Sequence, residues 1–230
     1  MNDKVKNYIK LICVILIFLF SSLFRLLAIY LFKIDTTNDF NKVLVNLIGN
    51  FLTIFILVIL YRKTLINDFK DFKKNISSYL EIGIKYWLTG LTIMMISNIL
   101  IGFIMNGNVA QNEQNVRNLL EVSPIIAFIL TSVTAPIIEE LIFRKAFFDV
   151  INNKWTYILT SGIIFGSLHV ILSFHNSLEL LYLVPYCSLG ISFSYMYYES
   201  KNIYVPISIH AFHNAVLSIL SIISLGMIIC

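Results

Sequence analysis

The sequence is poor in charge and in cysteine, and each shortage narrows the class of protein. Charged residues make up 13% of the 230 residues, about half the fraction of a typical soluble domain. The three cysteines, Cys13, Cys187 and Cys230, are far apart, so no disulfide framework is expected. A formal net charge of +4, spread along the chain, is too small to indicate nucleic acid as a partner.

The sequence is rich in long runs of apolar residues. Hydrophobic residues make up 58% of the chain, and its mean hydropathy is +0.82. Several runs exceed the roughly 18 residues that mark a transmembrane helix. We therefore predict an all-α fold, a polytopic transmembrane helical bundle with about seven to eight membrane helices. Residues 1–230 are expected to form a single integral membrane domain, multi-pass in the cell membrane.

Seven spans can be placed from the hydrophobic runs. Six of them run at about 9–32, 43–61, 82–105, 155–174, 178–198 and 203–229, and the fourth in chain order starts near 124. The connection 62–74 is the most basic, and its phenylalanines three residues apart predict an amphipathic helix on the lipid surface. A short helix is expected at about 114–122, between the third and fourth spans.

Basic residues divide unevenly between the two sides of the predicted bundle. One side receives Lys4, Lys6, Lys10, the segments 62–74 and 144–154, and Lys201. The other side receives Lys33, Lys42 and Arg117. By the positive-inside rule the first side is cytoplasmic. The N-terminus is then expected in the cytoplasm and the C-terminus outside.

The stretch 135–144 carries two adjacent carboxylates, Glu139 and Glu140, and Arg144 inside an apolar run. A charge at the centre of a membrane helix costs roughly 2.5–3.5 kcal/mol on insertion scales, so it is seldom without a partner or a function. Glu140 and Arg144 are i,i+4 neighbours on a helix and can pair. Glu139 lies about 100° further round the helix and is free to face another group, such as a histidine.

Two later motifs each place two side chains on one face of a helix. Phe-x-x-x-His does so with Phe165 and His169, and His-x-x-x-Asn does so with His210 and Asn214. Glu139 and His169 lie about 14 and 15 residues from the turn between their helices, so each is ~20 Å from it and the two are level. His210 lies only ~12 Å from its own turn, and helix tilt would have to bring it to the same depth.

These residue types suit more than one reaction. A carboxylate and an imidazole in an apolar site can polarise a water molecule, and a second imidazole with a carboxamide can stabilise an oxyanion, as amide hydrolysis requires. Two histidines and a glutamate could instead bind zinc with a water molecule in the open position. The sequence has no His-Glu-x-x-His motif to favour zinc. A cofactor-free site and a zinc site therefore both remain open.

The ordered set Glu-Glu-x-x-x-Arg, Phe-x-x-x-His and His-x-x-x-Asn, on successive membrane helices, resembles the CPBP family. This is the CAAX-protease and bacteriocin-processing group, also called Abi, and it includes the type II CAAX prenyl endopeptidase. The likeness covers about 136–217 and implies a catalytic core at about 122–229. It implies an intramembrane CAAX-type endopeptidase of the glutamate or metallo type, which hydrolyses a peptide bond.

The resemblance also implies a role for each motif residue. Glu139 and His169 would activate water, while His210 and Asn214 would occupy the oxyanion-stabilising positions. Glu140 and Arg144 would hold the site together. The chain departs from the family in two respects, since Lys145 stands where a small residue is usual and seven helices are expected instead of eight.

The implied partners are the lipid bilayer and a membrane-embedded or membrane-associated peptide or protein as substrate. A non-catalytic CPBP-fold protein is the alternative, acting in bacteriocin self-immunity or as a membrane scaffold. A transporter or proton relay is a third reading, because intramembrane Glu, His and Arg also mark ion pathways. It would call for two symmetric halves with broken helices, and the sequence shows no such symmetry.

Overall fold

The structure is a computed structural model that describes residues 2–173 and 175–226. Helices make up all the regular structure of these residues, so the all-α prediction is confirmed. They are α1 Asp3–Leu19, α2 Ser21–Phe32, α3 Asp39–Lys74, α4 Ile76–Ile104, α5 Gln111–Val122, α6 Pro124–Ala146, α7 Lys154–Ile171, α8 Leu183–Ser200 and α9 Tyr204–Ser224. A 3₁₀ helix, Ser177–Tyr182, leads into α8.

The chain is a multi-pass membrane protein, but the expected seven to eight membrane helices are too many. In the described residues five helices are long and apolar enough to cross a membrane, namely α3, α4, α6, α8 with its 3₁₀ helix, and α9. The number becomes six if α1 and α2, which meet at 55°, count as one bent span. Helix α7 falls short because its 18 residues include lysine, threonine, serine and histidine.

Large apolar side chains cover the outside of the bundle. Phe103 is 80% exposed, Ile125 75% and Leu172 73%. In water such a surface would be strongly unfavourable, whereas in a bilayer these side chains face lipid. The outer surface therefore agrees with the hydropathy of the sequence.

Helices α7 and α8 approach so closely that their backbones touch. A Cβ atom on Gly166 would lie 2.5 Å from the backbone nitrogen of Cys187, and one on Gly162 would lie 2.6 Å from the backbone of Ile191. Small residues allow this close helix packing inside membranes. The contact fixes the position of the α7 segment that carries Phe165 and His169.

The basic segment 62–74 is not a separate helix on the lipid surface, and that prediction is wrong. It continues α3 and packs against the start of α9, where the ring of Phe69 lies 5.4 Å from that of Tyr204. The carboxylate of Asp68 accepts a hydrogen bond from the backbone N–H of Ile203 at 3.0 Å. This carboxylate satisfies a free N–H at the beginning of α9 and joins the end of α3 to it. The short helix expected at about 114–122 is confirmed as α5.

Candidate active site

Helix α6 carries the Glu-Glu motif and contains a π-helical stretch just before it, Leu130–Thr134. There the N–H of Ala135 bonds to the carbonyl of Leu130, one residue further back than in an α-helix. The next bond in this register would join Pro136 to the carbonyl of Thr131, but proline has no N–H. The side-chain amide of Asn214 donates to that carbonyl instead, at 2.9 Å. Asn214 thereby ties α9 to α6 at the site.

A second π-helical stretch, Glu140–Ala146, carries the predicted ion pair. Glu140 and Arg144 are both fully buried, and the Arg144 Nε lies 3.0 Å from Glu140 Oε2. The two atoms are not aligned for a hydrogen bond, so their attraction is mainly Coulombic. The guanidinium also lies over the ring of Phe165, 4.1 Å from its centroid. The pairing expected from the i,i+4 spacing is confirmed.

His210 connects this ion pair to the other carboxylate of the motif. Its Nδ1 lies 2.8 Å from Glu140 Oε1 and its Nε2 lies 3.7 Å from Glu139 Oε2. A carboxylate paired with arginine can only accept, so Nδ1 of His210 carries a proton and donates it to the bond with Glu140. The ring of Phe193 stacks on the imidazole with centroids 4.8 Å apart. Arg144, Glu140, His210 and Glu139 therefore form one continuous series of contacts.

His169 is held by its own helix. Its Nδ1 donates to the carbonyl of Phe165 at 2.9 Å, which leaves Nε2 as the nitrogen with a free lone pair. The ring of Tyr186 stacks on the imidazole, with centroids 5.2 Å apart and planes 20° apart. The sequence placed Glu139 level with His169, but the imidazole in contact with Glu139 is that of His210.

A cavity of about 700 Å³ adjoins these groups. Glu139, His169, His210 and Asn214 all line it. Glu140 and Arg144 do not, because they lie behind His210 in the protein interior. The structure thus brings four of the six predicted site residues to one cavity and puts the other two in support of them.

Two further residues of the cavity wall are not among the six predicted site residues. Tyr186 stacks on His169, as described above. His213 is buried on the same wall, and its Nδ1 accepts a hydrogen bond from the indole N–H of Trp87 at 3.2 Å. Trp87 is far from the histidines in the sequence, and no spacing rule could have connected it with them.

Among residues 2–173 and 175–226, no group of three His, Cys, Asp or Glu side chains is placed to hold a metal ion. A catalytic zinc site needs three protein ligands. Glu140 is committed to Arg144 and His210, and the Nδ1 of His210 is committed to Glu140. The residues as arranged therefore do not form a zinc ligand set.

Comparison with known proteins agrees with the motif assignment. Residues 121–216 match the family model described as type II CAAX prenyl endopeptidase Rce1-like. The chain is 30% identical over 119 residues to YdiL of Bacillus subtilis (strain 168), named "Putative membrane peptidase", across 50% of this chain and 45% of that protein. It is 26% identical over 159 residues to the UPF0177 protein YvdC of Lactococcus lactis subsp. lactis (strain IL1403), across 60% and 59% of the two chains.

A third relative, an uncharacterised protein of Mycoplasma capricolum subsp. capricolum, is 28% identical over 185 residues, which cover 74% of this chain and 54% of the relative. The chain spans about half the length of the curated relatives it matches. No solved structure matches it. The resemblance seen in the three motifs is confirmed, since residues 121–216 are similar to the CPBP family of membrane peptidases.

Proposed function

We propose that this protein is an intramembrane endopeptidase that hydrolyses a peptide bond of a membrane-associated peptide or protein. The observation that carries the proposal is the series of contacts from Arg144 through Glu140 and His210 to Glu139, which ends at a cavity inside an apolar bundle. The name of the matched family, an endopeptidase, supports the same reaction class. Within the single domain 1–230, we assign the catalytic core to residues 122–229.

The four residues of this series, Arg144, Glu140, His210 and Glu139, carry charges of both signs. Arg144 balances one carboxylate, that of Glu140, while among residues 2–173 and 175–226 the ion-pair partner of Glu139 is His210. An uncompensated charge in an apolar interior is costly. We propose that Nε2 of His210, which lies 3.7 Å from Glu139 Oε2, also carries a hydrogen and donates it towards the cavity that His210 lines.

Glu139 and His169 are proposed to hold the attacking water. The carboxylate of Glu139 accepts one hydrogen of the water, and the free lone pair on Nε2 of His169 accepts the other. The water oxygen then bonds to the carbonyl carbon of the scissile peptide as Glu139 takes the proton. General base catalysis of this kind contributes about 10²–10⁴-fold to a rate.

The oxyanion formed by this attack requires donors. We assign this role to Nε2–H of His210 and to the second amide N–H of Asn214, the first being bonded to Thr131. When the tetrahedral intermediate collapses, the C–N bond breaks and Glu139 returns its proton to the leaving nitrogen. The products are a carboxylic acid and an amine, and no step passes through a metal.

The test is to compare cleavage products in cells that carry Glu139→Gln with those that carry the wild-type chain. Glutamine keeps the size and one carbonyl acceptor but cannot take a proton, so we expect a membrane-associated precursor to accumulate and its new N-terminus to disappear. Quantitative mass spectrometry of membrane N-termini gives both readouts. Glu121→Gln, at an exposed position of α5, is the matched control and should behave as wild type.

Equal cleavage products in Glu139→Gln and wild-type cells, at equal protein levels, would overturn the proposal. The non-catalytic alternative, bacteriocin self-immunity or a membrane scaffold, would then be preferred.

A further inference from the structure

Helix α4 lies outside the segment that matches the family model, yet it packs against two helices of the site. Gly83 of α4 packs on α9, where an added Cβ atom would lie 2.7 Å from the side chain of Ile209. The carbonyl of Gly90 accepts a hydrogen bond from the hydroxyl of Ser188 in α8 at 3.2 Å. Trp87 lies between the two glycines, so these contacts fix the part of α4 that carries its indole.

The indole of Trp87 determines which nitrogen of His213 carries a hydrogen. Its N–H donates to Nδ1 of His213 at 3.2 Å. An indole nitrogen is a donor only, so Nδ1 must accept and carries no hydrogen itself. An imidazolium has a hydrogen on both nitrogens and could not accept this bond. The bond therefore holds His213 as a neutral imidazole with its hydrogen on Nε2.

The Nε2–H of His213 is a donor on the cavity wall. His213 is buried and lines the cavity. Its Nε2 has no hydrogen-bond partner among residues 2–173 and 175–226, and it is not sealed within the protein. His210 comes three residues earlier in α9 and is therefore a neighbour of His213 on the helix surface. Asn214 is the next residue, so three polar side chains of α9 lie on one part of the wall.

Two imidazoles of the cavity wall carry their hydrogens on opposite nitrogens. His169 donates from Nδ1 to a backbone carbonyl and presents the lone pair of Nε2. His213 accepts at Nδ1 and presents the hydrogen of Nε2. One imidazole thus offers an acceptor and the other a donor, and neither needs a charge to do so. Without the bond from Trp87, nothing on Nδ1 would keep the hydrogen of His213 on Nε2.

We propose that Trp87 is a positioning residue of the site, which acts through His213 and holds its Nε2–H as a hydrogen-bond donor to a carbonyl oxygen of the peptide. The inference deepens the proposed peptidase function and rests on it for the peptide. It also gives α4, which lies outside the matched segment, a part in the reaction.

The first test is nitrogen NMR of the purified protein in detergent, with its four histidines isotope-labelled. Imidazole nitrogens with and without a hydrogen differ widely in chemical shift, and His213→Phe assigns the signals by removing one set. We expect the signals of His213 to show a hydrogen on Nε2 and none on Nδ1. They should change in Trp87→Phe, which keeps an aromatic ring but loses the N–H. The matched control is Trp155→Phe, at a position 58% exposed, which should leave them unchanged.

The second test measures cleavage of the precursor that accumulates in Glu139→Gln cells, using purified protein in lipid vesicles. Loss of one neutral hydrogen bond lowers a rate by about 2–10-fold, so Trp87→Phe and His213→Phe should each lower kcat/KM by about that factor. The double variant should lose no more than His213→Phe alone, because Trp87 acts through His213. Trp155→Phe should cleave at the wild-type rate.

A hydrogen on Nδ1 of His213 in the wild-type protein would overturn the inference. A double variant whose loss is the product of the two single losses would overturn it as well, because Trp87 would then act independently of His213. The NMR signals do not depend on catalysis. An absence of cleavage by the wild-type protein would therefore contradict the proposed function and the donor's role in it, while the effect of Trp87 on His213 is still tested separately.

Discussion

The buried ion pair of the Glu-Glu motif makes a quantitative prediction about stability. Glu140 and Arg144 are both fully buried, so Arg144→Met leaves a carboxylate in an apolar interior with only His210 beside it. Breaking a buried pair in this way costs about 3–5 kcal/mol. For a chain of this size each kcal/mol lowers the melting temperature by about 2–4 °C, so we expect a fall of about 6–20 °C.

The second half of this prediction concerns the double variant Glu140→Gln/Arg144→Met. Replacing both charges removes the uncompensated carboxylate, and the glutamine carbonyl still accepts the hydrogen bond from Nδ1 of His210. Most of the lost stability should therefore return. The matched control is Arg117→Met, which breaks the exposed pair with Glu113; such pairs contribute about 0–1 kcal/mol.

The assay is thermal unfolding of the purified protein in detergent, followed by the fluorescence of Trp87 and Trp155. An Arg144→Met protein that melts together with wild type would refute the electrostatic reasoning. A double variant no more stable than the single one would refute it equally, because the loss would then come from packing and not from the unpaired charge of Glu140.

Three further predictions concern the helix contacts and the question of zinc. Asn214→Ala should cost about 0.5–1.5 kcal/mol of stability, because it removes the hydrogen bond to the carbonyl of Thr131 in the first π-helical stretch of α6. Gly166→Ala should lower the melting temperature strongly, since its Cβ would lie 2.5 Å from the backbone of Cys187, whereas Gly102→Ala, with nothing within 4 Å, should not. Protein purified without added metal should contain far less than one zinc per chain by mass spectrometry; stoichiometric zinc that is lost in His169→Ala would contradict the metal-free reaction.

Much of the fold and part of the site could be predicted from the sequence. The charge shortage and the apolar runs gave the helical membrane class, and the i,i+4 spacing gave the pair of Glu140 and Arg144. The number of spans could not be predicted. Phe20, where the first span bends, is an ordinary apolar residue, and the polar residues of α7 are tolerated because one of its faces is buried in the bundle.

Depth along the helices placed Glu139 level with His169 and did not predict the contact between Glu139 and His210. Helix α6 contains two π-helical stretches, and a change from i→i+4 to i→i+5 bonding alters which side chains face a neighbour. Pro136 was visible in the sequence, but its effect depends on the register of the helix around it. The support that Tyr186 gives to His169 likewise depends on a tertiary contact between distant segments.

The central claim is that Glu139 is the general base of a membrane peptidase. The most direct measurement uses the precursor that accumulates in Glu139→Gln cells, reconstituted in lipid vesicles with purified wild-type, Glu139→Gln or Glu121→Gln protein. The account predicts cleavage at one bond by the wild-type and Glu121→Gln proteins, and a rate about 10²–10⁴-fold lower for Glu139→Gln. Cleavage by Glu139→Gln at the wild-type rate, or no cleavage by the wild-type protein, would contradict it.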